Sequence, residues 1–125
     1  MRGLAPVRKG QLCPEKEVTT IDVILAVNPI FPTGRIVATR GVYDLACQNA
    51  DFARFVQKSL SRHVKGDWGD VDSEDKQANE QALKQGTRLL SAYSDDRFPE
   101  NGVATIWIVT EADRSATTIL FPDEY

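Results

Sequence analysis

Residues 103–121 read VATIWIVTEADRSATTILF, and the reading of this stretch decides the fold. Between residues 103 and 111 both sides of the two-residue period are apolar. Ile106 and Ile108 fall on one face, Trp107 and Val109 on the other. A strand apolar on both faces predicts a central place in a sheet. Ala112, Asp113, Arg114 and Ser115 supply a turn, and residues 116–121 resume the strand pattern. Pairing Glu111 with Ala116 sets Thr110 beside Thr117, Ile108 beside Ile119 and Ile106 beside Phe121, so like residues share a face. Pro122 ends the second strand, because it has no N–H for a ladder.

Upstream of this hairpin, residues 88–94 read as a third strand. A loop at 95–102, with Pro99 and Asn101-Gly102, joins them. Before residue 88 the period becomes helical. Phe52, Phe55, Val56, Leu60, His63 and Val64 recur at three and four residues, with Asp51 as N-cap and Gly66 as stop. Asp72 or Ser73 caps a further helix, which Asp75 supports from its first turn and Gly86 ends. Its apolar face is thin (Ala78, Ala82 and Leu83), which predicts a surface position. Residues 42–48 predict a short helix and 35–39 a short strand. Residues 18–27 are apolar and β-branched, and fit either a strand or an apolar extension. Residues 1–17, broken by Gly3, Pro6, Gly10 and Pro14, read as a flexible tail. The expected fold is a single α+β domain over residues 18–125. In it, N-terminal helices pack on a C-terminal antiparallel β-meander of three to four strands, to which an early strand can add at an edge. The Phe52/Val56/Leu60 stripe is expected to lie on the Ile106/Ile108/Ile119/Phe121 face.

A length of 125 residues fits one domain, and 42% hydrophobic with 26% charged residues is ordinary for a folded chain. With 15 basic against 18 acidic residues the net charge is -3. The basic excess of a general nucleic-acid binder is missing, although a local basic patch stays open. The apolar region 21–27 contains Asp22 and is too short for a membrane span. No apolar run lies between Met1 and Cys13, so no signal peptide is expected. Cys13 and Cys47 lack metal or redox-motif spacing. The expectation is two reduced thiols in a cytoplasmic protein, with no cofactor, no metal and no membrane partner.

The only histidine, His63, falls in the last turn of its helix. Carbonyls there favour the imidazolium and predict a raised pKa. Such a residue usually caps or packs. Its functional reading is a general acid or base at a cleft between helix and sheet. Asp67, Asp70, Asp72, Glu74 and Asp75 suggest a cation loop, but the pattern fails. With Asp70 as first ligand, the glycine needed at the sixth position is missing and Gln81 holds the twelfth. Trp68, between two glycines, reads as a lid over the core with its indole N–H bonded.

The stretch 63–125 resembles a group of small uncharacterised proteins encoded on bacterial plasmids and other mobile elements. The resemblance is carried by Gly66-Asp67-Trp68-Gly69, Glu74-Asp75-Lys76, Ser91-Ala92-Tyr93, the run from Trp107 to Ser115 and the ending Phe121-Pro122-Asp123-Glu124-Tyr125. Phe31-Pro32 and Arg35 to Thr39 extend it to about residue 29. The resemblance implies a mobile-element origin and brings no activity with it.

Two functions are weighed. The first is a non-catalytic interaction or inhibitor protein. Asp67, Trp68, Asp70, Asp72, Glu74 and Glu80 would meet a host or element-encoded protein with a basic surface. The alternative is a small metal-independent ribonuclease, by fold analogy with the barnase, EndoU and RelE type. There His63, Arg88 or Arg114, and Thr117 or Tyr93 would supply the base, the cation and the acid, and RNA would be the partner.

Overall fold

The computed structural model describes residues 29–97 and 105–125. The tail at 1–17, the apolar segment 18–27 and most of the 95–102 loop lie outside them. The elements are β1 (Arg35–Ala38), α1 (Arg40–Gln48), α2 (Ala50–Val64), α3 (Ser73–Gln85), β2 (Leu89–Ser94), β3 (Thr105–Thr110) and β4 (Ala116–Leu120), then a 3-10 turn at Pro122–Glu124. The protein is α+β, with helices preceding most of the sheet.

The four strands lie in the order β1-β4-β3-β2. β3 is central, as its two apolar faces require. The β3–β4 register pairs Thr110 with Thr117 and Ile108 with Ile119, as the pattern predicts. The sheet is not a pure antiparallel meander. β1 runs parallel to β4, pairing Ile36 with Thr117 and Ala38 with Ile119. The Arg35 N–H donates to Ser115 O and the Thr39 N–H to Ile119 O, both at 3.0 Å, and these two bonds fix the direction. A parallel pair needs a long crossover, and all three helices and β2–β3 lie between these two strands.

One sheet face carries Ile36, Ala38, Tyr93, Ile106, Ile108 and Ile119. These form a buried cluster with Phe52, Val56, Leu60 and Val64 of α2 and Val42 of α1, while Phe121 packs at its margin. The expected contact of α2 with the sheet is present. Asn49, not Asp51, caps α2: its side chain accepts from the Asp51 and Phe52 N–H groups. Asp72 caps α3 by accepting from the Asp75 N–H. α3 buries only Asn79 and Ala82.

Both outer sides of the sheet are tied down by specific polar contacts. On β2, the Asn79 amide donates to Leu90 O at 2.6 Å and accepts from the Leu90 N–H at 3.1 Å, so one side chain imitates a neighbouring strand. Gly69 bridges Ala92 further along. Its φ is +75° and an added Cβ would sit 2.0 Å from Ala92 O, so only glycine fits. On the side of β1, the Glu124 carboxylate folds back to the start of α1. It accepts from the Thr39 hydroxyl at 2.5 Å and from the Phe121 N–H at 2.9 Å. An acid beside a helix N-terminus is favoured by the exposed N–H groups there.

Cys47 is disulfide-bonded, which corrects the expectation of reduced thiols. The only other cysteine in the sequence is Cys13, outside the described residues. No described helix is long and apolar enough to cross a membrane.

Candidate functional site

His63 has the helix position the stripe predicts, but it is 0% exposed. Its Nδ1 lies 2.5 Å from Ser91 Oγ on β2 and its Nε2 2.9 Å from Thr110 Oγ1 on β3. Thr110 Oγ1 is 2.8 Å from Thr117 Oγ1 on β4, and the Thr117 hydroxyl donates to Thr33 O at 2.8 Å. A carbonyl can only accept, so the polarity of the whole chain follows from that end. Thr117 gives its proton to Thr33 O and must accept from Thr110. Thr110 then accepts from His63, which places the imidazole proton on Nε2. Nδ1 accepts from Ser91. Every member is satisfied by a neutral imidazole.

Aromatic rings close the site. Phe31 and Trp68 stand edge-on to the imidazole at centroid distances of 5.4 and 5.7 Å. Burial pushes the His63 pKa down to about 3. This reverses the raised value expected from the helix end: loss of water opposes the imidazolium more strongly than the last-turn carbonyls favour it.

The other residues proposed for catalysis are also committed elsewhere. Thr117 and Tyr93 are 0% exposed. The Tyr93 hydroxyl donates to Asp67 O at 2.6 Å, and burial raises its pKa. Arg114 adopts φ +60° in the β3–β4 turn. Its guanidinium donates to the carbonyls of Thr87, Glu111, Ala112 and Ala82, which ties the turn to the end of α3. Arg88 is exposed and stacks over the Tyr125 ring at 5.4 Å. His63 and Thr117 thus belong to one buried network, Tyr93 and Arg114 to structural ties, and Arg88 to the surface. They form no open site with an acid, a base and a cation.

The acidic set divides in two. Asp67, Asp70, Asp72, Glu74 and Glu80 are exposed, whereas Trp68 is buried and presents no partner surface. Trp68 is the core lid its setting predicts, and its indole N–H donates to Glu80 at 2.9 Å. Arg62 grips Asp67 with two N–H groups at 2.8 and 3.2 Å, and this bond holds the Asp67 carboxyl below its ordinary range. The side chains of Asp70 and Glu74 make no hydrogen bond or ion pair among the described residues, while the Asp70 backbone N–H donates to Ala92 O at 2.7 Å. No group of His, Cys, Asp and Glu suited to a metal stands together among those residues either.

Sequence reading did not name one further feature. A cavity of about 330 Å³ opens between α2 and the end of β2, lined by Arg54, Lys58, Arg62 and Arg97 around Asp95 and Phe55. Positions 54, 58 and 62 recur at four residues on one helix face, a signal legible in the sequence. Comparison of the chain with models of protein families, with curated proteins and with solved structures found no match.

Proposed function

We propose that the protein is a non-catalytic interaction protein, of inhibitor type, that meets the basic surface of a protein partner through the acidic face around α3. One observation carries the reading. α3 turns Glu74, Asp75 and Glu80 outward and buries only two of its residues, so nearly all of this helix is left for contact with a partner. The loop before it adds Asp70. The contact set is therefore Asp70, Glu74 and Asp75, with Asp67, Asp72 and Glu80 engaged in the fold. Exposed carboxylates around a helix steer and select a cationic partner more than they tighten it. The partner in this reading is a protein of the host or of a mobile element that carries the gene. The ribonuclease alternative has no support from the site, since its intended base has no exposed atom.

Zero-length carbodiimide cross-linking in intact cells tests the reading, because it joins carboxylates to lysines in direct contact. Links from Asp70, Glu74 or Asp75 to lysines of one recurring protein are expected, and they should vanish in Asp70→Asn/Glu74→Gln. Links confined to other carboxylates, or unchanged in that variant, would overturn it.

Cytoplasmic residence was part of the same expectation, and the bonded Cys47 weighs against it, since structural disulfides persist in oxidising compartments. Alkylation of living cells before lysis is expected to leave Cys47 unlabelled until a reductant is added. Full labelling without reductant would restore the cytoplasmic assignment.

A further inference from the structure

The cavity beside α2 is made by three cations on one helix and a fourth from the segment after β2. Successive positions 54, 58 and 62 are one turn and about 6 Å apart along the helix, so their long side chains reach over the same hollow. Two of these arginines are already oriented. Arg54 gives one N–H to Asp51 at 2.6 Å, and Arg62 gives its Nε and Nη2 to Asp67. Each guanidinium has five N–H donors, so both keep donors beyond those contacts. Arg97 is held at Asp95 through Nε and Nη2. Lys58 forms no ion pair among the described residues. The cavity lining therefore holds four cations, three of them paired with Asp51, Asp67 and Asp95, and Lys58 carries the excess positive charge.

We propose that this cavity binds the phosphate group of a small phosphate monoester. Three properties select that ligand. The first is charge: the unpaired Lys58 leaves the lining an excess of positive charge that an anion relieves. The second is donor geometry: the guanidinium N–H groups left over by Asp51, Asp67 and Asp95 are held in place by those bonds and can meet several oxygens of one tetrahedral phosphate. The third is size. A volume near 330 Å³ lies at the small end of ligand cavities and holds a phosphate with a compact organic body against Phe55. A polynucleotide fits less well. It would feel the net charge of -3 over its length, whereas a small anion responds to cations within about one Debye length, about 8 Å at physiological salt. The site shares no residue with the partner surface proposed above, and Asp70 reaches it only through its charge on Arg62.

The test is a titration of the full chain, followed by amide chemical shifts, with inorganic phosphate and glycerol 3-phosphate as probes. Acetate and a short single-stranded DNA serve as comparators. Saturable binding of both phosphates is expected, with shifts centred on residues 54–62 and 94–97 and weaker response to acetate and DNA. Lys58→Gln and Arg54→Gln, at exposed positions, should each weaken phosphate binding by about tenfold or more while thermal unfolding stays near that of the wild type. No saturation, unchanged affinity in both variants, or tighter binding of acetate or DNA would overturn the proposal. Asp70→Asn/Glu74→Gln should bind phosphate at least as tightly as the wild type, whatever its cross-linking shows, so the two proposals fail separately.

Discussion

Leu60→Ala is expected to lower the unfolding free energy by about 2–5 kcal/mol. Leu60 is 0% exposed and lies in the cluster that joins α2 to Ile106, Ile108 and Ile119 on the sheet. Truncation removes the transfer energy of its methyl groups. It also leaves a void that the neighbours cannot easily close, since they come from separate elements with fixed backbones. The helix itself is indifferent, because alanine has the better intrinsic propensity. A loss of this size therefore reports packing alone. Urea unfolding of wild type and variant at one pH measures it, with the midpoint falling and the slope unchanged. Lys58→Ala, on the exposed side of the same helix, should stay within about 0.5 kcal/mol. A cost below about 1 kcal/mol for Leu60→Ala would remove α2 from the centre of the core.

The pairing of β3 with β4 was legible because alternation fixes both face and register. Thr110 meets Thr117 and Ile108 meets Ile119 for the same reason that a slip by one residue would turn every side chain over. The direction of β1 was not legible. Alternation of Ile36 and Ala38 gives the face they occupy and says nothing of parallel or antiparallel pairing. The cap of α2 fell two residues from its expected place because Asn49 and Asp51 are comparable cap formers, and tertiary context chose between them.

The His63 network lay in the sequence as a pattern of another kind. His63 sits on the apolar stripe of α2, while Ser91, Thr110 and Thr117 occupy the positions of their strands that face it. Four polar side chains at core positions must find one another, since a buried donor without an acceptor is costly. Read singly, each looked like a candidate for chemistry or a good strand former. Their arrangement in space, and the unique direction of their hydrogen bonds, came only from the packed strands. The Arg54/Lys58/Arg62 ridge was hidden differently, by a net charge of -3 that averages it away.

Acid should destabilise the protein well above the range where carboxylates protonate. In the unfolded chain His63 takes up a proton below the ordinary imidazole value of 6.5, whereas burial in the fold holds its pKa down to about 3. Between these values the unfolded state binds more protons, so stability rises with pH and is lost as pH falls. The contribution is fully present above pH 6.5 and gone near pH 3. Its slope approaches 1.4 kcal/mol per pH unit, and the loss between pH 6.5 and pH 4.5 comes to about 2 kcal/mol. Asp67, Asp95 and Asp113, each held below the ordinary carboxylate range by hydrogen bonds, add loss of the same sign only at lower pH. The upper window therefore isolates the histidine. His63→Gln sharpens the measurement. Its amide N–H can donate to Thr110 and its oxygen accept from Ser91, yet it never titrates. The variant should be less stable at pH 7 through imperfect fit, and its urea midpoint should stay flat from pH 6.5 to 4.5 while that of the wild type falls. A wild-type midpoint that holds steady across this window, or a variant that falls in parallel with it, would show that His63 is protonated as readily in the fold as outside it, and the buried neutral relay would have to be given up.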